Sequence, residues 1–309
     1  MKCILCNRKG EIELQQGHLC EKCFPEYFQK KVYRTIRKYR LFSKDDVLCF
    51  ALSGGKDSLA VAYVVSQIAR KQKQRMFAIG VDEGVKNYRE IQLEDMKRFC
   101  DGLGIEYHIF RFSDEYGKTN EEMMDIARKK GVDISQCTLC GILRRRILNR
   151  EARNLGATKM VVGHNLDDEA QTSLMNLFKG SVDLMARLGP ASGDSKHKGF
   201  IPRIKPLYFC TNEETAAFTR LKGIKVLYKA CPHRKDSFRE YVDKKIESIE
   251  KDYPGTKTSI IQNIIKIVPL IRKEYINSEI KVCRICGEPS RNSTCKSCDT
   301  LRKIGLIKA

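Results

Sequence analysis

The 309-residue chain is 42% apolar, and its 58 lysines and arginines against 38 aspartates and glutamates leave a net charge of +20. That apolar share supports a real core, the length suits one large α/β domain with small appendages, and the excess charge points to a polyanionic partner, nucleic acid first. No stretch approaches the ~20 apolar residues of a membrane span, and Met1-Lys2-Cys3-Ile4-Leu5-Cys6 lacks a signal-peptide hydrophobic region, so a cytoplasmic protein without membrane association is expected.

Ten of the 14 cysteines fall into five C-x-x-C pairs, which in a cytosolic chain read as metal ligands rather than disulfides. Cys3/Cys6 and Cys20/Cys23 open the chain in a zinc-ribbon layout, each pair a tight knuckle and the four thiolates a tetrahedron for Zn²⁺. A segment of this size has no core of its own, so the metal holds its fold. His18 beside the second pair is an alternative ligand; four thiolates are the preferred reading.

Residues 26–44 follow with Phe28, Val32, Ile36 and Tyr39 at helical spacing and Lys30, Arg34, Arg37, Lys38 and Arg40 covering the remainder. This is either a solvated basic face or a helix that tracks phosphates.

From 45 to about 180 strand and helix patterns alternate, which predicts a parallel sheet covered on both faces. Val47–Leu52, Met76–Val81, Tyr107–Phe110 and Met160–Gly163 are the predicted strands, with helices at Ser58–Ala69, Tyr88–Leu103, Asn120–Lys130 and Gly141–Leu155. Ligands of such sheets sit at the carboxyl ends of the strands, and polar chemistry collects there. Ser53-Gly54-Gly55-Lys56-Asp57-Ser58 follows the first strand, Asp82-Glu83-Gly84 the second and Gly163-His164-Asn165 the fourth.

The first of these is an anion site by construction. Its glycines let the backbone turn sharply, the N–H groups of the new helix face the ligand, and Lys56, Ser53 and Ser58 add a charge and two hydroxyls. The spacing is not that of a Walker A loop. It matches the PP-loop, SGGxDS, of ATP pyrophosphatases, which adenylate a carbonyl oxygen and release pyrophosphate.

Cys137-Thr138-Leu139-Cys140 has no second pair nearby and opens a helical run, while Cys231 stands in Ala230-Cys231-Pro232-His233. Three thiolates from two places suit a [4Fe–4S] cluster with one iron left open. A metal-free persulfide-and-disulfide set, or a purely structural Cys231, fits the residues too. Cys49, Cys100 and Cys210 lie in apolar company and read as packing residues. In Gly163-His164-Asn165-Leu166-Asp167-Asp168, two adjacent acids open a helix; they complement its dipole, hold Mg²⁺ or orient a reacting oxygen.

Gly189–Gly199 reads as a mobile loop, Pro202-Arg203-Ile204-Lys205-Pro206-Leu207 as an extended segment, and Thr211-x-x-Glu214 as a capping box opening a helix through Leu221. Beyond Cys231 the chain reads as helical, with an apolar stretch from Ile260 to Val268 whose partner the sequence does not give. Cys283/Cys286 and Cys295/Cys298 form a second zinc site with a spacer of eight residues. The expected domains are an N-terminal zinc ribbon at 1–25, a PP-loop domain at 26–210, a helical extension completing the catalytic core at 211–280, and a C-terminal zinc ribbon at 281–309.

SGGKDS, the mid-chain CTLC, GHNLDDEAQT and ACPHR, framed by a four-cysteine ribbon at each end, closely resemble the tRNA 2-thiouridine synthetases of the TtuA/NcsA type. The PP-loop alone would admit GMP, argininosuccinate and tRNA-lysidine synthetases, and the odd cysteines would admit tRNA 2-thiocytidine enzymes. Only the terminal ribbons together with the rest select this family, and the resemblance covers essentially the whole chain.

The resemblance implies an α/β fold of the adenine nucleotide alpha hydrolase-like kind, and ATP lying across Ala51, Leu52 and Ser53–Ser58, with Gly54, Gly55, Lys56 and Asp57 in contact. Base and ribose would lie against Val81 and Asp82, with the other flank at Gly163. It implies Cys137, Cys140 and Cys231 as cluster ligands, Asp168 as the catalytic acid, and a basic residue at 144 that is here Arg144 rather than lysine, unable to serve as a lysine-like proton donor.

The expected chemistry has Asp168 and Lys56, with Mg²⁺, set the uridine C2 oxygen against the α-phosphate of ATP, after which sulfide held on the open iron attacks C2 and expels AMP. Expected partners are tRNA, a second copy of the chain as a homodimer, and free sulfide or a ubiquitin-like sulfur carrier protein. The alternatives are the same reaction through a persulfide, a non-catalytic zinc-ribbon RNA-binding protein, and another PP-loop enzyme acting on a small carbonyl substrate.

Overall fold

The computed structural model describes residues 1–192, 199–234, 237–275 and 280–307. At the N-terminus a hairpin of β1 (Ile12–Leu14) and β2 (Gly17–Leu19) carries the first two knuckles and leads into α1 (Phe24–Tyr39). The α/β core then runs β3 (Leu48–Ala51), α2 (Lys56–Lys71), β4 (Met76–Asp82), α3 (Arg89–Gly102), β5 (Tyr107–Arg111), α4 (Phe112–Tyr116), α5 (Asn120–Lys129), α6 (Gln136–Asn154), β6 (Lys159–Val161) and α7 (Leu166–Phe178). After α8 (Val182–Met185) come β7 (Ala191–Ser192), β8 (Arg203–Ile204), α9 (Asn212–Leu221), α10 (Phe238–Asp252) and α11 (Thr256–Tyr275). The second ribbon holds β9 (Lys281–Val282), β10 (Pro289–Ser290) and α12 (Lys296–Lys303).

The main sheet has the order β5-β4-β3-β6-β8-β7, parallel except for β7 against β8. Central strands of such a sheet are buried on both faces and read as continuous apolar runs; in β3, Leu48, Cys49 and Phe50 are all fully buried. One face packs α1, α2, α3 and α9 through residues such as Phe28, Leu59, Val64, Met96 and Phe218, with Phe28 stacked on Phe218. The other face packs α5, α6 and α12 through Met123, Leu143, Ile147, Leu301 and Ile304. Because β4 lies on one side of β3 and β6 on the other, the chain order reverses at β3, and the crevice beyond its carboxyl end is where such sheets bind ligands.

Two glycines shape that crevice. Gly54 has φ +78°, and a Cβ there would stand 1.9 Å from the Gln92 carbonyl oxygen. A Cβ on Gly163 would stand 2.6 Å from the Ser58 nitrogen, so the end of β6 closes directly onto the first turn of α2.

Some elements differ from expectation. α6 begins at Gln136, capped by the Ser135 hydroxyl that accepts from Thr138 N at 3.3 Å, so Cys137 and Cys140 lie inside the helix rather than ahead of it. Of the extended segment 202–207 only Arg203–Ile204 is strand, since Pro202 and Pro206 flank it and Lys205–Tyr208 turns. In the segment read as a loop, Ala191–Ser192 pairs with β8, while 193–198 lie outside the described residues. The apolar stretch of α11 has found its partners: Ile261 packs with Leu166, Ala170 and Ile246, and Ile264 and Val268 with Leu188. Cys49, Cys100 and Cys210 are fully buried packing residues.

Candidate active site

The turn after β3 is built as the sequence implies. Ser58 Oγ donates to the Gly55 carbonyl at 2.9 Å and accepts from Ser53 N at 3.2 Å, and Gly55 N donates to Ser53 Oγ at 3.3 Å. These bonds fold residues 53–58 into a cradle in front of the α2 N-terminus, where helix dipole and free N–H groups favour anions. Lys56 does not project outward. Its ammonium donates to both Asp57 carboxylate oxygens at 2.8 and 2.9 Å and to Asn212 Oδ1 at 2.8 Å. Burial raises the Asp57 pKa, against the pull of Lys56.

Asn165 ties this cradle to α7. Its side-chain oxygen accepts from Asp168 N at 3.1 Å as a helix cap, and its amide donates to Asp57 at 3.0 Å and to Asn212 at 2.9 Å. The two adjacent acids separate in role. Asp167 is buried, accepts from Asn212 N at 2.7 Å and takes the Lys257 ammonium on its other oxygen, so it is a structural anchor and not a metal ligand. Asp168 returns one oxygen to Asn165 N at 3.3 Å and leaves the other 3.5 Å from the Arg239 guanidinium, with 36% of its side chain accessible. Of the pair, Asp168 alone is free to meet a ligand.

The second half of the crevice gathers the odd cysteines. Cys137 and Cys140 occupy the first two turns of α6, and Cys231 heads the short 3₁₀ turn Pro232–Arg234, whose His233 carbonyl lies 3.1 Å from Cys137 Sγ. Burial raises the Cys140 thiol to about 12, Arg144 opposes the rise, and Glu83, Cys231 and Cys137 add to it. Burial raises Cys231 too, and its field includes Cys137, Glu83 and Arg144. The three thiols lie within one another's field but more widely spread than the terminal sets, whose sulfurs fall within 4.8 Å. A cubane takes its thiolates on separate irons, so thiols from a helix N-terminus and a facing turn could hold one.

Glu83 joins the halves. This buried carboxylate pairs with Arg89 at 2.8 Å and with Arg144 at 3.1 Å. Arg89, itself 4% exposed, donates to the Val81 carbonyl at 2.6 Å and the Ser53 carbonyl at 2.5 Å, so it holds the ends of β4 and β3 in register. His164 is exposed to solvent in the crevice, yet desolvation first, and then Lys205, Arg239, Arg203 and Arg144, push its pKa down to about 3. Arg203 is pushed down to about 10 by desolvation, Arg145 and Arg144. A crevice this cationic is made for a phosphate-bearing ligand.

Sequence reasoning missed Arg89, Glu83 as a linker, Asn165, Asn212, Lys257 and Arg239. Asn212 was the most accessible of these, because the capping box at Thr211 fixes it as the first residue of α9.

At the two ends of the chain the four-cysteine sets come together as groups that could hold a metal ion. The sulfurs of Cys3, Cys6, Cys20 and Cys23 lie within 4.8 Å of one another, as do those of Cys283, Cys286, Cys295 and Cys298. Cys6 and Cys20 Sγ are 3.6 Å apart and Cys286 and Cys295 Sγ 3.7 Å, against about 3.8 Å for the edge of a tetrahedron with Zn–S near 2.3 Å. Against the effect of burial, backbone N–H groups lower Cys3 and Cys283; neighbouring sulfurs and burial raise Cys23, and burial and neighbouring sulfurs raise Cys298, so the sulfurs of each set interact strongly with one another. The N-terminal set is complete without His18.

Comparison with known proteins agrees with this geometry. The PP-loop domain family matches residues 25–247. The chain is 30% identical to the tRNA 2-thiolation protein NcsA of Haloferax volcanii, covering 99% of this chain and 100% of that one. It is 32% identical to the tRNA-5-methyluridine(54) 2-sulfurtransferase of Pyrococcus horikoshii, over 96% of this chain and 93% of that one. Among solved structures it is similar to the U34-tRNA thiolase NcsA from Methanococcus maripaludis with its [4Fe-4S] cluster, at 32% identity and a TM-score of 0.81, covering 100% and 98% of the two chains.

Proposed function

Since the chain belongs to the PP-loop family of tRNA 2-thiolation proteins, we propose that it is an ATP-dependent tRNA sulfurtransferase that converts a uridine to 2-thiouridine. The observation that carries the reading is the Arg89–Glu83–Arg144 link, which sets the phosphate cradle and the three-cysteine set on one rigid frame. A reaction in two half-steps on one nucleoside needs both sites within reach of the same atom.

In the first step the uridine C2 oxygen attacks the α-phosphorus of ATP, and pyrophosphate leaves. Lys56 and the α2 N-terminus stabilise the departing charge, which requires the Lys56 ammonium to turn from Asp57 and Asn212 toward phosphate. Asp168 supplies the open carboxylate on this side, fitting a Mg²⁺ that would offset phosphate charge. Val81, Asp82 and Gly163 flank the nucleotide, and Gly163 is seated so closely on Ser58 that a side chain there would clash.

In the second step a sulfur nucleophile attacks C2, and AMP departs with the former O2. Cys137, Cys140 and Cys231 would hold a [4Fe–4S] cluster, which when bound supplies an iron without a protein ligand for the incoming sulfur. Arg144, pinned by Glu83 beside Cys140, stabilises negative charge there and keeps its own proton. The crevice is open at Cys137 and His164, which suits delivery from free sulfide or the thiocarboxylate of a ubiquitin-like carrier. Zn²⁺ in both ribbons and a homodimer built on the exposed Ile267 and Leu270 of α11 complete the proposal. The test is AMP formation with unmodified tRNA, ATP and sulfide, comparing anaerobically reconstituted with iron-free protein. The reading predicts pyrophosphate release in both, and AMP together with 2-thiouridine only in the first. Thiolation by iron-free protein would move the sulfur chemistry to a cysteine persulfide.

A further inference from the structure

At the opposite end of the sheet from the PP-loop, where the strands begin, a groove of about 730 Å³ lies between the end of α1, the end of α2 and the start of β6. That is within the size range of about 300–1,000 Å³ typical of small-ligand pockets. Tyr33, Ile36 and Phe42 give it an aromatic and apolar wall, and Arg37, Arg40 and Lys159 give it three cations. Its one acid, Asp46, is engaged internally, accepting from Ser43 N at 2.7 Å and Thr158 Oγ1 at 2.6 Å.

Two backbone positions single this end out. Among the described residues seven other helices close on a glycine with positive φ, at Gly104, Gly117, Gly131, Gly156, Gly180, Gly223 and Gly305. At the same kind of position α1 closes on Arg40 with φ 46° and α2 on Lys73 with φ 55°. A side chain in the left-handed region is strained where glycine is not. The helix dipole explains cations in a last turn, such as Arg37, Lys38, Arg70 and Lys71, but does not require one in that conformation. Of the two, Arg40 lines the groove, and strain retained at a cation there points to use of the charge.

α1 also connects the groove to the candidate active site. Midway along it Lys31 pairs with Glu214 at 2.7 Å, two residues from the Asn212 that holds Lys56, and its end lines the groove. The eight steps of helix from Lys31 to Tyr39 span about 12 Å. Along it Lys30, Arg34, Arg37 and Lys38 are exposed and share one face.

We propose that this groove takes an unpaired nucleotide of the RNA substrate, its base against Tyr33 and Phe42 and its phosphates on Arg37, Arg40 and Lys159, with the intervening backbone following the basic face of α1. Aromatic stacking combined with a cationic track is how proteins hold single-stranded nucleic acid. The proposal rests on the tRNA reading above.

The test is binding of a fluorescein-labelled, unmodified tRNA transcript to the full-length, zinc-loaded protein, measured across salt concentrations. The R40G variant should melt no lower than the parent, because glycine relieves the position, yet bind tRNA about tenfold more weakly, with a log–log salt slope shallower by about 0.7 for one lost phosphate contact. Phe42→Ala should weaken binding about tenfold with the salt slope unchanged. ATP affinity should be unaffected in both, and ultraviolet crosslinking should leave a tRNA-derived nucleotide on the peptide holding Tyr33 or Phe42. Parent-like tRNA binding in both variants would overturn the groove while leaving the thiolation reading intact. So would a crosslink formed with free ATP or AMP in place of tRNA. A parent protein that does not bind tRNA would overturn both.

Discussion

Asn212 Oδ1 lies 2.8 Å from Lys56 Nζ, joining the first residue of α9 to the phosphate-facing lysine of α2 across 156 positions of sequence. The same oxygen accepts from Asn165 at 2.9 Å, so Asn212 stands between the two helix N-termini that wall the crevice. Lys56→Ala should lower AMP formation by about 10²–10³-fold, the usual cost of removing a donor that meets developing charge. Asn212→Ala should lower it about tenfold, through misplacement of the lysine. Steady-state AMP release with tRNA and ATP checks both. Equal losses in the two variants would mean that Asn212 does more than orient.

Glu83 and Arg89 are each about 5% accessible in their side chains, so their pairing is a buried one. Glu83→Ala leaves Arg89 without its buried anion and should cost about 3–5 kcal/mol. Urea unfolding measures this. The variant should also loosen the end of β3, because Arg89 holds the Ser53 carbonyl, and so raise KM for ATP.

The two four-cysteine sites should differ in their effect on activity. α12 packs Leu301 and Ile304 against the core face of α6, which carries Cys137 and Cys140. Cys283→Ser should reduce bound zinc from two equivalents to one and also impair thiolation. Cys3→Ser should cause the same zinc loss and act mainly through tRNA affinity. Metal analysis together with activity separates these outcomes.

His164 is held neutral by its desolvation and by the surrounding cations, with a pKa near 3. The unfolded chain takes up this proton below about pH 6.5, whereas the folded one does not until near pH 3. Between those values the unfolded state binds more protons, so stability falls as pH is lowered through the window. At neutral pH the imidazole is uncharged, and the pH–rate profile should show no ionisation from it between pH 6 and 8. A phosphate ligand weakens the cationic field and should raise the pKa, which an NMR titration with and without ATP would detect.

Much of this was legible in the sequence, because local chemistry was enough. Strand, Gly-Gly turn and helix at 48–58, the C-x-x-C pairs and the capping box at Thr211 each announce themselves within a few residues. The odd cysteines at 137, 140 and 231 were legible as a set only through spacing and family likeness. What stayed hidden depended on tertiary proximity. Asp167 and Asp168 are neighbours in sequence, yet Lys257 from α11 and the Asn212 amide claim one and Arg239 faces the other. Arg89 looks like one more helical surface residue until folding points it at two strand ends. α6 starts five residues ahead of the expected Gly141, because Ser135 caps it before the cysteines.

The central claim is tested most directly by nucleoside mass spectrometry of unmodified tRNA incubated anaerobically with the zinc-loaded, iron-and-sulfide-reconstituted protein, ATP, Mg²⁺ and sulfide. 2-Thiouridine should form in step with AMP, and Cys231→Ser should abolish thiolation while leaving ATP binding intact. Formation of AMP with no 2-thiouridine at any sulfide concentration, or undiminished thiolation in Cys231→Ser, would contradict the account.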